Sequence, residues 1–485
     1  MKICLIYPPA IGAVRAMMIQ TEGDEGGGIG FKPPLGLLYI AGYLKSVQPH
    51  HELMVIDAQV ERLDFRQVTE RAAGFRPDVI GITAWTDFWY STHRLMEELR
   101  QALPQAHICV GGPHVGIYPG ITLEHSTADS IVMGDGEVPF SMLVQALERG
   151  GEMPEIPGAY FKGRAAAHYE FYIHKDLDGL PNPDRTLLPY RRYSSALGKK
   201  KYLTTMVTSR GCPYKCVFCK LNFQKTLCRS AENVVSEFAQ ITKLGIGDIE
   251  LYDDTFTWSR QRVIDICKGI LDRGIKVTWA VRDRVSNADA GLLDWMWKAG
   301  CRRIHYGVES GLDKTLEAIK KRITTAQARY AVKMAKARGF EVLTYFMLGL
   351  PGETEADMRA TIDFALELDP DYTTFNVAIP YAGTGMYESG LQNGVIPNDF
   401  WLEFAKKPAP GYVVPHFYEE HLGRLELLRM RDYAVSRFYF RPLFMLRQLG
   451  RVGGMREFRG KLKMAALLFK ESVLGRSHKT YGKAR

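Results

Sequence analysis

Long hydrophobic runs are missing from this chain of 485 residues. A helix that crosses a membrane needs about 20 consecutive apolar residues, so no membrane span is predicted. A secretory signal is missing as well, because the apolar stretch after Lys2 is short and is stopped by Pro8 and Pro9. We therefore expect a first β-strand at the N-terminus and a cytoplasmic protein.

Cysteine is scarce and unevenly placed. Of the eight cysteines, only Cys212, Cys216 and Cys219 are clustered, which does not fit a disulfide scaffold in a chain of this length. A closed zinc site would need a fourth Cys or a His at short spacing, and none follows. The other cysteines are expected to be ordinary buried thiols: Cys4, Cys109, Cys228, Cys267 and Cys301.

Basic residues are concentrated near the C-terminus. The net charge is +9, but residues 424–485 contain 16 Lys and Arg against four Asp and Glu, so the preceding residues sum to −3. Apolar residues are interleaved with arginines, which predicts helices whose apolar face packs on the protein while the arginines face water. The alternative is peripheral contact of this basic tail with an anionic membrane. No RNA-binding module is recognisable, so nucleic acid is not expected as a partner.

Strands and helices alternate in the first third of the chain. Strands are predicted over residues 3–7, 53–56, 79–84, 107–110 and 130–133, and helices over 35–45, 66–73, 91–102 and 139–148. This alternation predicts an α/β fold with a doubly wound, Rossmann-like parallel sheet. Ligands of such sheets bind at the carboxyl ends of the strands, and the Gly-rich stretch 23–30 is expected to close over a ligand.

A second α/β region follows an extended connector. Six strand candidates, each but the last followed by a helix, occupy residues 204–210, 249–256, 276–284, 303–309, 342–350 and 373–380. This pattern predicts a partial (β/α)6 barrel with its active site at the strand C-termini. The predicted domains are therefore residues 1–160, a linker 161–198, a core 199–390 and a helical C-terminal region 391–485.

The clustered cysteines stand directly after the first strand of the predicted barrel, in Ser209-Arg210-Gly211-Cys212-Pro213-Tyr214-Lys215-Cys216-Val217-Phe218-Cys219. Three thiolates at this spacing can bind three irons of a [4Fe–4S] cluster and leave the fourth iron without a protein ligand. The metal ligands predicted here are therefore Cys212, Cys216 and Cys219.

This motif resembles that of the radical S-adenosylmethionine (SAM) enzymes. The resemblance implies that SAM binds the open iron and that the reduced cluster cleaves it to a 5'-deoxyadenosyl radical. An external electron donor of the flavodoxin or ferredoxin type is implied too. By position in the family pattern, the SAM-binding residues are Phe218, Asp253, Asp254, Arg284, Glu309, Ser310, Gly349, Pro351 and Ala378, with Arg282 as a second choice for Arg284.

The first domain resembles the cobalamin-binding domain that precedes many radical SAM cores. The resemblance rests on PPLGLLYIAGYL at Pro33–Leu44 and on the short segments PDVIGIT, VGGPH and GDGE. It implies a cobalamin site at Thr83, Gly111, Gly112, Pro113, His114, Gly134 and Glu137. The D-x-H-x-x-G motif that supplies an axial His to cobalt is absent, so His114 is weighed both as a cobalt contact and as a wall of the pocket.

The two resemblances together imply a cobalamin-dependent radical SAM methyltransferase. Such an enzyme methylates an unactivated carbon of a small molecule, for example a lipid, pigment or natural product, by way of the radical and methylcobalamin. The alternative is an oxidoreductase similar to the anaerobic cyclase of bacteriochlorophyll synthesis. An RNA methylthiotransferase is disfavoured, because its N-terminal domain would need three further cluster cysteines and only Cys4 and Cys109 lie there. A non-catalytic corrinoid or electron carrier is disfavoured by the polar residues at the strand ends.

Overall fold

The computed structural model describes residues 1–12, 30–195, 197–198, 200–220, 223–410 and 417–450, with a few positions between 458 and 469. These residues form two compact units. The first consists of Phe31–Tyr193 with residues 1–12 and 399–410, and the second of the remaining described residues. No helix in the described ranges is long and apolar enough to cross a bilayer. Most of the Gly-rich stretch 23–30 and of the tail beyond residue 450 lies outside these ranges.

The first unit alternates strands and helices as the sequence predicts. Its strands are β1 (Lys2–Tyr7), β2 (Glu52–Asp57), β3 (Val79–Thr83), β4 (His107–Gly111), β5 (Ser130–Val132) and β6 (Ala159–Phe161). Its helices up to residue 160 are α1 (Leu35–Val47), α2 (Ala58–Glu61), α3 (Phe65–Phe75), α4 (Trp89–Ala102), α5 (Pro119–His125) and α6 (Glu137–Arg149).

The sheet of the first unit has the strand order β2-β1-β3-β4-β5-β6. The first five strands are parallel, and β6 pairs with β5 in the antiparallel sense. The central residues of β1, β3 and β4 are all buried, as expected for strands with helices on both faces. The doubly wound, Rossmann-like sheet is therefore confirmed, with one short antiparallel edge strand added to it.

The connector after β6 packs on the first unit. It is mostly extended but contains three short 3-10 turns, Leu177–Gly179, Arg185–Leu187 and Tyr190–Arg192. The hydroxyl of Tyr193 donates to the buried carboxylate of Asp57 at 2.7 Å, which ties the end of the connector to the end of β2.

The second unit contains a second parallel sheet with helices after its strands. Its strands are β7 (Leu203–Met206), β8 (Ser209–Arg210), β9 (Leu227–Cys228), β10 (Asp248–Leu251), β11 (Thr278–Asp283), β12 (Cys301–Glu309), β13 (Glu341–Leu348) and β14 (Tyr372–Val377). The helices are α7 (Ala231–Lys243), α8 (Arg260–Asp272), α9 (Ala290–Lys298), α10 (Asp313–Ala318), α11 (Thr325–Ala337), α12 (Glu355–Leu368) and α13 (Gly385–Gln392).

Six of these strands form one parallel sheet in the order β14-β13-β12-β11-β10-β7. This is the partial (β/α)6 barrel that the sequence predicts. Several strand predictions were too long at the C-terminal end, and two of them overshot the most. The strand predicted at 204–210 breaks after Met206, and the one predicted at 249–256 ends at Leu251. The backbone turns after Met206 and after Leu251, because the carboxylate of Asp253 accepts hydrogen bonds from Thr208 and Ser209.

The C-terminal region is helical, with α14 (Phe400–Lys406), α15 (Arg424–Tyr439) and α16 (Pro442–Gly450). Helix α14 belongs to the first unit, while α15 packs on β14, β13 and α12 of the second. The prediction that the arginines of this region face water is wrong for Arg424 and Arg431, which are buried beside Glu419 and Asp432. Arg441 and Arg447 both pair with Asp369.

Candidate radical and cofactor sites

The cysteine loop starts at a glycine that no other residue can replace without a clash. Gly211 has φ = +85°, and a Cβ at this position would overlap the carbonyl oxygen of Lys225. Within the loop, the amide of Cys219 donates to the carbonyl of Cys216 at 3.1 Å. The Sγ of Cys212 lies 3.8 Å from the hydroxyl of Thr255, which follows β10.

Backbone hydrogen bonds hold the same loop from both sides. The amide of Val217 donates to the carbonyl of Ile319 at 3.1 Å, and the carbonyl of Val217 accepts from Met386 at 2.8 Å. The ring of Tyr214 lies under the guanidinium of Arg284, 3.5 Å from the ring centroid. The loop is therefore fixed by residues after β11, β12 and β14, so its three thiols are held in one arrangement.

The thiols of the loop lie close enough together to affect one another electrostatically. Desolvation and the neighbouring Cys216, Asp254 and Cys212 raise the pKa of the Cys219 thiol to about 12. Such a thiol stays protonated in water at neutral pH, whereas a cationic metal centre removes its proton outright. Cys219 is exposed and Cys212 and Cys216 are half-buried, so a cluster held by the three sulfurs would keep an accessible side.

The two adjacent carboxylates after β10 differ in their surroundings. Asp253 is buried and accepts hydrogen bonds from the Thr208 amide at 2.6 Å and from the Thr208 and Ser209 hydroxyls at 2.5 and 2.6 Å. Asp254 is exposed, and desolvation together with the charge of Asp253 raises its pKa. Of the two predicted SAM contacts, Asp254 is the one whose carboxylate remains accessible to a ligand ammonium.

Arg284 is already partly engaged by the protein. Its guanidinium donates to the carbonyls of Lys321 and Arg322 as well as stacking on Tyr214. Its Nε is buried and has no hydrogen-bond partner among the described residues. An orphaned charged donor beside the cysteine loop fits the predicted role of binding a carboxylate.

Glu309 contacts a buried lysine, Lys321, that the sequence did not suggest as a site residue. Its carboxylate pairs with Lys321 at 2.7 Å, and both side chains are buried. Glu309, Lys320 and Arg322 all have positive φ values, of 71°, 54° and 54°. Non-glycine residues in this conformation cluster at functional sites. Lys321 also lies 5.6 Å from the ring of the predicted Phe218, but it follows the cysteines by about a hundred positions and no motif marks it.

A third group of predicted residues forms the ends of β12 and β13. The buried Ser310 hydroxyl contacts the Glu353 carboxylate at 3.3 Å and the Thr361 hydroxyl at 3.1 Å. The other oxygen of Glu353 accepts from the amides of Gly349 and Leu350, both at 3.0 Å. Glu353 is therefore the side chain that shapes this turn.

The remaining predicted residues of the second unit lie at the same edge of the sheet. Ala378 is buried, and its amide donates to Leu348 at 2.8 Å, which continues the pairing of β14 with β13. Pro351 is half-buried just after β13. The structure thus brings the predicted SAM contacts to the carboxyl ends of five neighbouring strands, the position expected for an active site of a barrel.

A polar network lies on one face of the same sheet. Arg282 stacks on Tyr252 with its guanidinium 3.6 Å from the ring centroid, and its positive charge acts on the hydroxyls of Tyr252 and Tyr345. His305 contacts the Tyr345 hydroxyl at 2.7 Å. Arg303 pairs with the Glu250 carboxylate at 3.1 Å and donates to Nε2 of His305 at 3.0 Å.

One hydrogen-bond donor, the hydroxyl of Tyr345, has no acceptor within this network. Because Arg303 donates to Nε2 of His305, the ring hydrogen must be on Nδ1 and point to the Tyr345 hydroxyl. That hydroxyl then accepts from His305, and its own hydrogen points elsewhere. Tyr252 and Tyr345 are both partly accessible. The face therefore offers a cationic group and a phenol donor to a polar ligand.

In the first unit the predicted cobalamin contacts also lie together, at the carboxyl ends of the parallel strands. Thr83 and Gly111 are partners in the register of β3 and β4. Gly112 has φ = +99°, and a Cβ there would lie 2.7 Å from the carbonyl oxygen of Ala84. Gly134 is exposed just after β5 with φ = +91°.

The same edge is lined by Pro113, which is half-buried, and by Glu137, which starts α6. Thr83, Gly111 and Gly112 are also partly accessible. Small residues and turns at accessible strand ends fit the close approach of a bulky ligand.

His114 is the predicted residue whose surroundings are the most unusual. Its ring is fully buried and stacks on Trp89 with centroids 4.0 Å apart, and Nδ1 lies 3.4 Å from the Thr86 hydroxyl. Nε2 has no hydrogen-bond partner among the described residues. Desolvation, with a smaller contribution from His93, lowers the pKa of His114 to about 3. The ring is therefore neutral, and its role as a cobalt contact or pocket wall stays a prediction.

Two family models match the chain, one over each group of predicted cofactor contacts. The model of the B12-binding domain matches residues 30–144, and that of the radical SAM superfamily matches residues 206–365. The first range contains every predicted cobalamin contact, and the second contains the three cysteines and all but one of the predicted SAM contacts.

Relatives with both regions extend over almost the whole chain. An uncharacterized methyltransferase of Pyrococcus horikoshii is 33% identical over 474 residues, which is 96% of this chain and 98% of the relative. An anaerobic magnesium-protoporphyrin IX monomethyl ester cyclase of Rubrivivax gelatinosus is 27% identical and covers 89% and 78% of the two chains. The radical SAM methyltransferase TsrM of Kitasatospora setae shares the fold with a TM-score of 0.64 at 21% identity, covering 81% and 77%.

The chain therefore belongs to the radical SAM enzymes that carry an N-terminal B12-binding domain. The cofactors of this family are a [4Fe–4S] cluster, SAM and cobalamin, so the cofactor prediction made from the sequence is confirmed. The individual residues proposed to bind them remain predictions.

Proposed function

We propose that this protein is a cobalamin-dependent radical SAM methyltransferase that methylates an unactivated carbon of a small molecule. The observation that carries the proposal is the 33% identity, over 98% of its length, to a relative named as a methyltransferase. The similarity to the cyclase is lower, at 27% identity over 78% of that relative, so cyclisation is the second candidate.

The residues of the second unit have defined tasks in this proposal. When bound, the cluster with SAM supplies a carbon-centred radical that takes hydrogen from an unactivated C–H bond, and the corrinoid supplies the methyl group. Cys212, Cys216 and Cys219 hold the cluster. Asp254 pairs with the amino group of SAM and Arg284 with its carboxylate. Both assignments rest on accessible or orphaned charge beside the cysteine loop.

The substrate would meet the polar face of the sheet. Arg282 and the phenol of Tyr345 offer a positive charge and a hydrogen-bond donor there, which suits a small molecule that carries an oxygen-rich group. Electrons would come from a donor of the flavodoxin or ferredoxin type. The cytoplasmic location expected from the sequence remains part of the proposal.

Membrane contact of the C-terminal region receives less support than packing. Arg447 of α16 and Arg441, which directly precedes this helix, are both bound to Asp369, and Arg437 of α15 pairs with Asp363 at 3.0 Å. Arginines held by carboxylates have little charge left for anionic lipid. We therefore propose that α15 and α16 stabilise the barrel.

The proposal is tested by product mass. Enzyme reconstituted anaerobically with cluster and hydroxocobalamin, reduced and supplied with trideuteromethyl-SAM, is incubated with a small-molecule extract and examined by mass spectrometry. We expect a product in which one trideuteromethyl group replaces a hydrogen, and no such product when hydroxocobalamin is omitted. A product that has lost hydrogen or gained oxygen without taking up the label would instead support the cyclase-type reaction.

A further inference from the structure

Two histidines and a glutamate meet on the first unit, away from the strand ends described above. His50 and His51 lie in the turn between α1 and β2, and Glu148 lies in the last turn of α6. His50 Nε2 is 3.0 Å and His51 Nδ1 is 3.8 Å from the same oxygen of Glu148. One possible ligand atom from each residue lies within 4.8 Å of the other two.

We propose that His50, His51 and Glu148 form a binding site for a divalent transition-metal ion of the Zn²⁺ type. Two imidazole nitrogens and one carboxylate oxygen are a common ligand set for zinc, with the fourth position open to water or another ligand. Mg²⁺ and Ca²⁺ would be disfavoured, because they prefer oxygen ligands alone.

The hydrogen bonds behind His51 show which of its nitrogens can bind a metal. Nε2 of Gln48 donates to the carbonyl and the hydroxyl of Ser141, both at 3.0 Å. The oxygen of Gln48 must therefore be the atom that lies 3.0 Å from Nε2 of His51, and that ring nitrogen must carry the hydrogen. The lone pair is consequently on Nδ1, which is the nitrogen that faces Glu148.

This arrangement is typical of metal-binding histidines. A ligating His usually donates its second ring N–H to an oxygen acceptor, which fixes the tautomer and the orientation of the ring. Gln48 is the acceptor here, and Ser141 fixes Gln48 in turn. The side chains of Gln48 and His51 are buried, so the orientation is built into the unit rather than adopted at the surface.

Burial, helped by nearby positive charges, lowers the pKa of His51 and keeps its ring neutral. Desolvation, the N-terminal amino group and His50 lower the pKa of His51, against the opposing charges of Glu148 and Asp78. Metal ligation requires a neutral imidazole, so His51 would not have to lose a proton at neutral pH. The amino group of Met1 lies 3.1 Å from Nδ1, and a bound metal would take its place on the lone pair.

The open side of the site is defined by exposure. The side chains of His50 and Glu148 are 57% and 36% exposed, whereas that of His51 is 0% exposed. A metal at this position would be reached from solvent and would link the end of α1 to the end of α6. Because β2 begins directly after His51, the proposed metal site lies at the amino end of this strand. Thr83 and Gly111 lie at the carboxyl ends of β3 and β4, on the opposite side of the same sheet. A failure of the site would therefore not affect the proposed methyl transfer.

The chain offers a matched control for a test. His168 also pairs with a glutamate, Glu170, at 3.1 Å, and both are exposed, but no second histidine joins them in a three-ligand group among the described residues. Replacing His168 removes one surface His–Glu pair without touching the proposed site.

The experiment titrates tag-free, cluster-loaded holoenzyme with ZnCl2 in competition with a chromogenic zinc indicator. We expect one tight site in the wild type and in His168→Ala, and affinity lowered at least about tenfold in His50→Ala and in Glu148→Gln. Gln48→Ala, which changes only the residue that positions His51, should weaken zinc by about 10- to 100-fold. Zinc should also raise the unfolding temperature of the wild type and of His168→Ala, but not that of His50→Ala.

Two results would overturn the proposal. One is a cluster-loaded wild type that binds no zinc. The other is His50→Ala binding zinc as tightly as His168→Ala. Because His50 is exposed, its replacement should leave the fold intact, and the SAM cleavage activity of the same preparation checks this independently.

Discussion

Asp253 and Asp254 show that neighbouring identical residues can have different roles. Asp253 is buried and accepts three hydrogen bonds from the segment that enters the cysteine loop. Asp254 is exposed. The sequence could place both at the end of β10 but could not separate a residue that shapes the loop from one that can contact a ligand.

Replacing these two residues should separate stability from SAM binding. We expect Asp253→Ala to lower the free energy of unfolding by about 3 kcal/mol, because the buried amide of Thr208 loses its acceptor. Asp254→Ala should change it by no more than about 0.5 kcal/mol, while weakening SAM. Chemical denaturation measures the first effect and equilibrium dialysis with SAM the second. Equal stability losses in the two variants would show that the distinction is wrong.

At the scale of elements, the turn after β13 is organised by a buried acid. Glu353 accepts hydrogen bonds from Gly349, Leu350 and Ser310, yet burial raises its pKa to about 7. A pKa that is higher in the folded than in the unfolded state adds stability at low pH. That contribution is lost as the pH rises through the folded value.

Glu353→Gln should therefore change the pH dependence of stability. A glutamine can keep the two amide hydrogen bonds and donate to Ser310, but it does not titrate. Between pH 5.5 and pH 8 we expect the wild type to lose about 2 kcal/mol relative to the variant, given a folded pKa of about 7 and an ordinary glutamate pKa of 4.5. Urea unfolding at both pH values measures this. A constant difference between the two proteins would contradict the assigned pKa.

The elements that the sequence predicted are those with a long or strongly apolar pattern. All six barrel strands and the five parallel strands of the first unit were found in order, because each is an apolar run followed by a helix or a turn. The antiparallel β6 was missed, since Ala159–Phe161 has only three residues. Strand ends were misplaced where a side chain, such as that of Asp253, bends the backbone.

Side-chain networks were the least predictable part of the site. The guanidinium of Arg284 donates to the backbone carbonyl of Lys321. The hydroxyl of Tyr345 on β13 contacts the ring of His305 on the neighbouring strand β12. The hydroxyl of Tyr345 has a polar partner that its place in an apolar strand pattern does not reveal. Such contacts join residues far apart in the chain, and one sequence carries no signal for them.

At the scale of the whole molecule, two cofactor domains occur in one chain. The B12-binding and radical SAM matches cover residues 30–144 and 206–365, and each unit has its predicted contacts at the carboxyl edge of a parallel sheet. This edge is where α/β sheets bind ligands. The methyltransferase proposal needs both sites, but its radical chemistry begins at the cysteine loop.

The most direct test of the central claim is the amount of 5'-deoxyadenosine that the anaerobically reconstituted, reduced enzyme releases from SAM. Cys228 is an exposed cysteine outside the loop, so Cys228→Ala is the matched control for Cys216→Ala. We predict that the wild type and Cys228→Ala release 5'-deoxyadenosine, and that Cys216→Ala loses both this activity and the brown absorbance of the cluster. Undiminished release by Cys216→Ala would contradict the assignment of the loop as the ligand of a radical-forming cluster.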